Sequence, residues 1–193
     1  MYIIAGLGNP GSRYEFTRHN VGFLAIDELS KKLNIKVNRI KFKGLIGEGL
    51  INNEKIILIK PETYMNRSGE SIRDIMNFYK VPIENLIVLV DDIDIPFGSL
   101  KIKSKGSSGT HNGLKSIIYQ LQDDNFKRVK IGVGAQDKGE DLADYVLKGF
   151  TEKEYEEISG TIKDASSAIV EIILNGIEKA MTKYNKRIKI ERD

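Results

Sequence analysis

A chain of 193 residues is one ordinary domain, long enough to bury a core that can support a catalytic crevice. With 40% hydrophobic and 30% charged residues, and 18 Gly against 4 Pro, the composition excludes disordered, collagen-like and coiled-coil chains. The absence of Cys excludes disulfides, thiolate catalysis and Cys-ligated metals, and two His leave His19 and His111 as the only imidazoles for chemistry. No run approaches the apolar length of a membrane span and no leader pattern opens the chain, so a cytoplasmic protein is expected.

In chain order, the apolar run Tyr2 to Leu7 reads as a buried strand feeding the loop Gly6-Leu-Gly-Asn-Pro-Gly11. Val21, Leu24, Ala25, Leu29 and Leu33 follow as a helical stripe. The stretches Gly44 to Ile51 and Lys55 to Ile59 flank Asn52-Asn53 as a hairpin. Ser68 is placed to cap a helix with its apolar face at Ile72, Ile75, Met76 and Tyr79. Leu86 to Val90 is a core strand that runs into Asp91-Asp92-Ile93-Asp94. A short strand at Leu100 to Lys103, a Gly/Ser loop at 106 to 110, a helix over Leu114 to Leu121 and a strand at Val129 to Val133 come next. Thr151 and Glu154 form a capping box for a long helix carrying Tyr155, Ile158, Ile162, Ala165, Ile169 and Ile172, interrupted near Asn175-Gly176. Interleaved strands and helices predict a single α/β domain over residues 1–193, with a mixed, mainly parallel sheet and a basic helical region at about 177–193.

The net charge of +3 is unevenly spread. Residues 31–43 carry six basic side chains and no acid, and residues 179–193 carry six basic and two acidic ones. Separate basic segments suit a polyanionic partner, and solvated surface is the competing reading.

Four polar clusters sit where strands end, the usual crevice of an α/β fold. Gly6-x-Gly8-x-x-Gly11 formally matches a dinucleotide fingerprint, but no helix opens on its third glycine and no acid ends the next strand. The others are Tyr14-x-x-Thr-Arg-His-Asn20, Lys60-Pro-Glu-Thr-Tyr-Met-Asn66, and Asp91-Asp92-x-Asp94-x-Pro96. Asp91, Asp92 and Asp94 could hold Mg²⁺ for a phosphoesterase, although no second carboxylate cluster completes a two-metal site. The simpler use is one Asp that fixes the tautomer of a His.

Taken with Gly109-Thr-His-Asn-Gly-Leu114, these motifs resemble the bacterial peptidyl-tRNA hydrolases in order and spacing, over essentially the whole chain. The resemblance implies a cytoplasmic monomer with a twisted mixed sheet flanked by helices, which hydrolyses the ester between a peptide and the terminal ribose of tRNA, with neither metal nor cofactor. It implies that His19 is the general base and Asp91 its partner. It assigns Tyr14, Tyr64, Asn66 and Asn112 to the peptide and terminal nucleotide, and Asn9 to telling a blocked from a free α-amino group. Met65 then packs the pocket wall, and Lys103 and Lys130 flank the crevice as a phosphate clamp. Thr110, Lys130 and Ala135-Gln136 depart from the common family pattern and bear on tRNA contacts alone. The chemistry stands without the name: ester hydrolysis needs a base of near-neutral pKa for water and donors for an oxyanion, and His19 is the best-placed base. A non-catalytic RNA-binding module on the same scaffold is the alternative.

Overall fold

A computed structural model of the protein describes residues 1–185. Seven strands form one sheet: β1 (Tyr2–Gly6), β2 (Arg39–Lys41), β3 (Gly44–Ile51), β4 (Glu54–Pro61), β5 (Leu86–Asp92), β6 (Leu100–Lys103) and β7 (Lys127–Gly132). The helices are α1 (Val21–Leu33), α2 (Ser68–Tyr79), α3 (Asn112–Leu121), α4 (Leu142–Val146), α5 (Glu152–Asn175) and α6 (Ile177–Tyr184). Strand order is β2-β3-β4-β1-β5-β7-β6. The pairings β4·β1, β1·β5 and β5·β7 are parallel, and the marginal pairings β2·β3, β3·β4 and β6·β7 are antiparallel. The mixed sheet with a parallel centre is therefore as expected.

Strand alternation divides the core in two. Ile4, Ile56, Leu58, Ile87 and Leu89 pack under α1, α5 and α6, whereas Ile3, Ile57, Ile59, Val88 and Val90 pack under α2 and α3. Both faces of the central strands are buried, which is why β1 and β5 read as unbroken apolar runs.

The glycines after β1 serve packing. A Cβ on Gly22 at the start of α1 would lie 2.5 Å from the backbone of Leu7 and Leu89, and one on Gly8 would enter the Phe23 ring. They let α1 sit directly on the strand ends.

Several local expectations are corrected. Ser68 caps nothing: a single 3₁₀ turn at Met65–Arg67 runs straight into α2, so Ser68 is already helical and its hydroxyl donates back to the Met65 carbonyl at 2.9 Å. Tyr155 is exposed and meets Phe16 edge-on, outside the core. Strand β2, three exposed residues, and helix α4, five residues of which only Val146 is buried, are additions to the expected elements. The Thr151–Glu154 capping box forms as expected, and Gly176 at φ +88° separates α5 from α6. Of the basic C-terminal region, residues 186–193 lie outside the described residues. The basic segment 31–43 is partly neutralised within the fold: Arg39 pairs with Glu48, Lys43 with Asp74, and Lys41 lies 4.3 Å over the Phe78 ring.

Candidate active site

The C-terminal ends of β1, β4 and β5 open on a crevice of about 530 Å³. Its floor is Asp91, the last fully buried residue of β5, where a carboxylate can persist only if its lone pairs are satisfied. Two histidines satisfy them. His19, on a 3₁₀ turn at Arg18–Asn20, brings Nδ1 to 2.9 and 3.0 Å from the two carboxylate oxygens, and His111 brings Nε2 to 2.8 Å from Oδ1.

Hydrogen-bond bookkeeping assigns the protons. His111 Nδ1 accepts from the Gly113 and Leu114 amides at 3.1 and 3.3 Å, capping α3, so its proton is on Nε2 and is donated to Asp91. His19 donates from Nδ1 to the same carboxylate, which leaves Nε2 as a lone pair on a residue that lines the crevice. Burial alone would lower the His19 pKa, but the charge and hydrogen bond of Asp91 outweigh it and the net shift is upward. Burial pushes Asp91 the other way, yet the charges and hydrogen bonds of the two imidazoles hold it well below the usual carboxylate range.

The turn that carries His19 is fastened on the far side. Arg18 is buried beside the Tyr145 and Phe150 rings, donates to the carbonyls of Gly149 at 2.8 Å and Lys148 at 3.4 Å, and pairs with Glu154 at 2.7 Å. This ties the turn to the segment after α4, whose Leu142, Ala143 and Val146 form the apolar wall of the crevice. Opposite stands the amide wall. Asn9 is fixed by three bonds: its N–H donates to Asn20 Oδ1 at 2.9 Å, its carbonyl accepts from Asn20 Nδ2 at 2.9 Å, and its Oδ1 accepts from the Met65 N–H at 2.8 Å. With Oδ1 engaged, the Asn9 side chain offers the crevice an N–H donor. Tyr64 holds the turn after β4 open at φ +57°, in a region side chains seldom adopt, and is half exposed at the rim.

The crevice thus gathers His19, Asp91, Asn9, Tyr64, Met65, Asn66, Asn112 and Lys130. Tyr14 and Lys103 are not among its lining residues. Tyr14 lies under the Arg13 guanidinium at 4.6 Å, and Lys103 is exposed on edge strand β6. Sequence reasoning assigned no role to His111, Asn20 or Arg18, although all three stand inside quoted motifs. Asp92 and Asp94 do not join Asp91 as ligands. Alternation turns Asp92 to the opposite face, where Oδ2 pairs with Lys130 at 2.7 Å and Oδ1 accepts from the Asp94 N–H. Among the described residues the group able to hold a metal is His19, Asp91 and His111, with one ligand atom from each within 4.8 Å of the others.

An imidazole held by a buried carboxylate, between an apolar wall and an amide wall, suits hydrolytic chemistry on an α/β sheet. The sequence agrees: residues 3–192 match the family model for peptidyl-tRNA hydrolase, and the chain belongs to that family. It is 58% identical to a peptidyl-tRNA hydrolase of Finegoldia magna, over 96% of this chain and 97% of that one, and 55% identical to one of a Thermoanaerobacter species over 96% and 100%. The crystal structure of the peptidyl-tRNA hydrolase from Acinetobacter baumannii superimposes with a TM-score of 0.91 at 35% identity, covering 96% of this chain and 94% of that one.

Proposed function

We propose that this chain hydrolyses the ester joining an N-blocked peptide to the 3′-terminal ribose of tRNA, with His19 as general base and Asp91 as its orienting partner. The observation that carries the reading is the His19 ring, whose Nδ1 is committed to Asp91 and whose Nε2 is left as the acceptor in a crevice of this family. Nε2 takes a proton from water as the water oxygen attacks the ester carbonyl, and Asp91 stabilises the imidazolium. Collapse of the tetrahedral intermediate breaks the bond to the ribose oxygen, which receives the same proton back from Nε2. Amide N–H groups of the asparagine wall stand ready for the oxyanion and the peptide carbonyls.

The same wall accounts for substrate choice. Asn9 presents a donor, so an acylated α-nitrogen supplies the carbonyl it needs, whereas a free ammonium would meet another N–H. Asn66, Asn112 and the exposed ring of Tyr64 serve the peptide backbone and terminal nucleotide, with Tyr14 further out. Lys103 and Lys130 are the proposed contacts to phosphate. The proposed location is the cytoplasm and the proposed state a monomer, as the family resemblance implies; no helix among the described residues is long and apolar enough to cross a membrane.

N-acetylated aminoacyl-tRNA should be cleaved to free tRNA in EDTA, with a polyamine keeping the tRNA folded, and the unacetylated form should be cleaved at least about tenfold more slowly. Activity that returns only with added Zn²⁺ or Mg²⁺ would replace the His–Asp base with metal-activated water. Binding of tRNA without any turnover would make the chain an RNA-binding module.

A further inference from the structure

Lys130 does not point into the crevice as a free charge. Its Nζ is 2.7 Å from Asp92 Oδ2, and both side chains are mostly covered. The sheet dictates this pairing. Lys130 stands beside Val90 across β5·β7, and Asp92 follows Val90 by two residues, so carboxylate and ammonium share the face that carries α2 and α3. Across β6·β7, Lys101 is directly opposite Lys130, and Lys103 is opposite the buried Arg128, which among the described residues bonds to backbone carbonyls alone. Among the described residues Asp92 is thus the acid bonded within a row of four cations, and its second oxygen is fixed by the Asp94 N–H.

We propose that Asp92 is a specificity-determining residue, which restrains Lys130 and so limits the affinity of the crevice for phosphates that every tRNA carries. The proposal rests on the reading of Lys130 as a phosphate contact. A lysine that must leave a carboxylate to reach a phosphate exchanges one ion pair for another, and the net gain is small. That restraint is useful because the phosphates are common to substrate, released tRNA and unblocked aminoacyl-tRNA. Binding shared by all three leaves the chemical step no faster and slows product release. Discrimination then falls to the asparagine wall, which reads the peptide.

The test is equilibrium binding of full-length deacylated tRNA over a salt series, to the wild type, Asp92→Asn, Lys130→Met and the double variant. Asn keeps an oxygen for the Asp94 N–H, and thermal melting checks each fold. Asp92→Ser, lacking an amide that could hold Lys130, repeats the measurement. Asp92→Asn should bind about three- to fivefold tighter and steepen the salt dependence by about one phosphate contact. Lys130→Met should weaken binding by leaving Asp92 bare, and Asp92→Asn in that background should restore part of the loss. Unchanged or weaker binding by folded Asp92→Asn and Asp92→Ser, with the double variant binding more weakly still than Asp92→Asn, overturns the restraint and leaves the phosphate contact standing. Wild-type affinity and salt slope in Lys130→Met overturn the phosphate contact itself, and the restraint with it.

Discussion

Replacing His19 with alanine is expected to lower the rate of peptidyl-tRNA cleavage by about 10³-fold, on the order of 4 kcal/mol of transition-state stabilisation, with deacylated tRNA bound as before. The neighbouring imidazole cannot substitute. His111 spends Nδ1 on two helix amides and Nε2–H on Asp91, so it has no lone pair to offer water. Asp91 keeps one of its two partners in the variant, which favours an intact fold. Single-turnover hydrolysis at saturating enzyme isolates the chemical step; a His19→Ala rate within about tenfold of wild type would dismiss His19 as the base.

Asp91→Asn is the second large effect, and the structure makes it harsher than the sequence motifs suggest. An amide at the end of β5 looks able to hold one ring, which would make this the milder change. Two rings compete for it. His111 is locked as a donor toward position 91, so the amide oxygen must face His111 and the NH₂ must face His19. His19 Nδ1 then becomes the acceptor, its proton moves to Nε2, and the atom aimed at water has no lone pair. The expected loss in kcat is again about 10³-fold or more, comparable to removing the imidazole. Single-turnover rates at several pH values measure it, and retention of more than about a tenth of wild-type activity would show that the tautomer is not set this way.

Why the sequence revealed some of this and not the rest follows from the range of the interactions. Strands β1 and β5 are apolar on both faces, the hairpin turns on Asn52-Asn53, and the Thr151–Glu154 box is a contact three residues long, so each is written in a few adjacent residues. Helix α4 and strand β2, five and three residues long, are too short to repeat a period. Ser68 misled because a 3₁₀ turn precedes the α-helix and no local signal separates the two. The site divides the same way. His19, Asp91 and the asparagines were identified by family motif, yet what each side chain bonds depends on partners 72, 56 and 38 residues apart: His19 with Asp91, Asn9 with Met65, and Lys130 with Asp92. Composition carries none of that, which is why neither the pairing of Lys130 with Asp92 nor the bonds of His111 are legible in the sequence.

The central claim is that water is activated by an imidazole whose basicity Asp91 raises. In the free enzyme that imidazole must lose its proton before it can act, so kcat/KM should fall as pH drops through its pKa. The direct measurement is kcat/KM for an N-acetylated aminoacyl-tRNA across pH 5 to 9. The account predicts a single acid limb with a midpoint above the ordinary imidazole value of 6.5, and no such limb in the residual activity of His19→Ala; a flat profile, a midpoint below 6.5, or a limb that survives His19→Ala would contradict it.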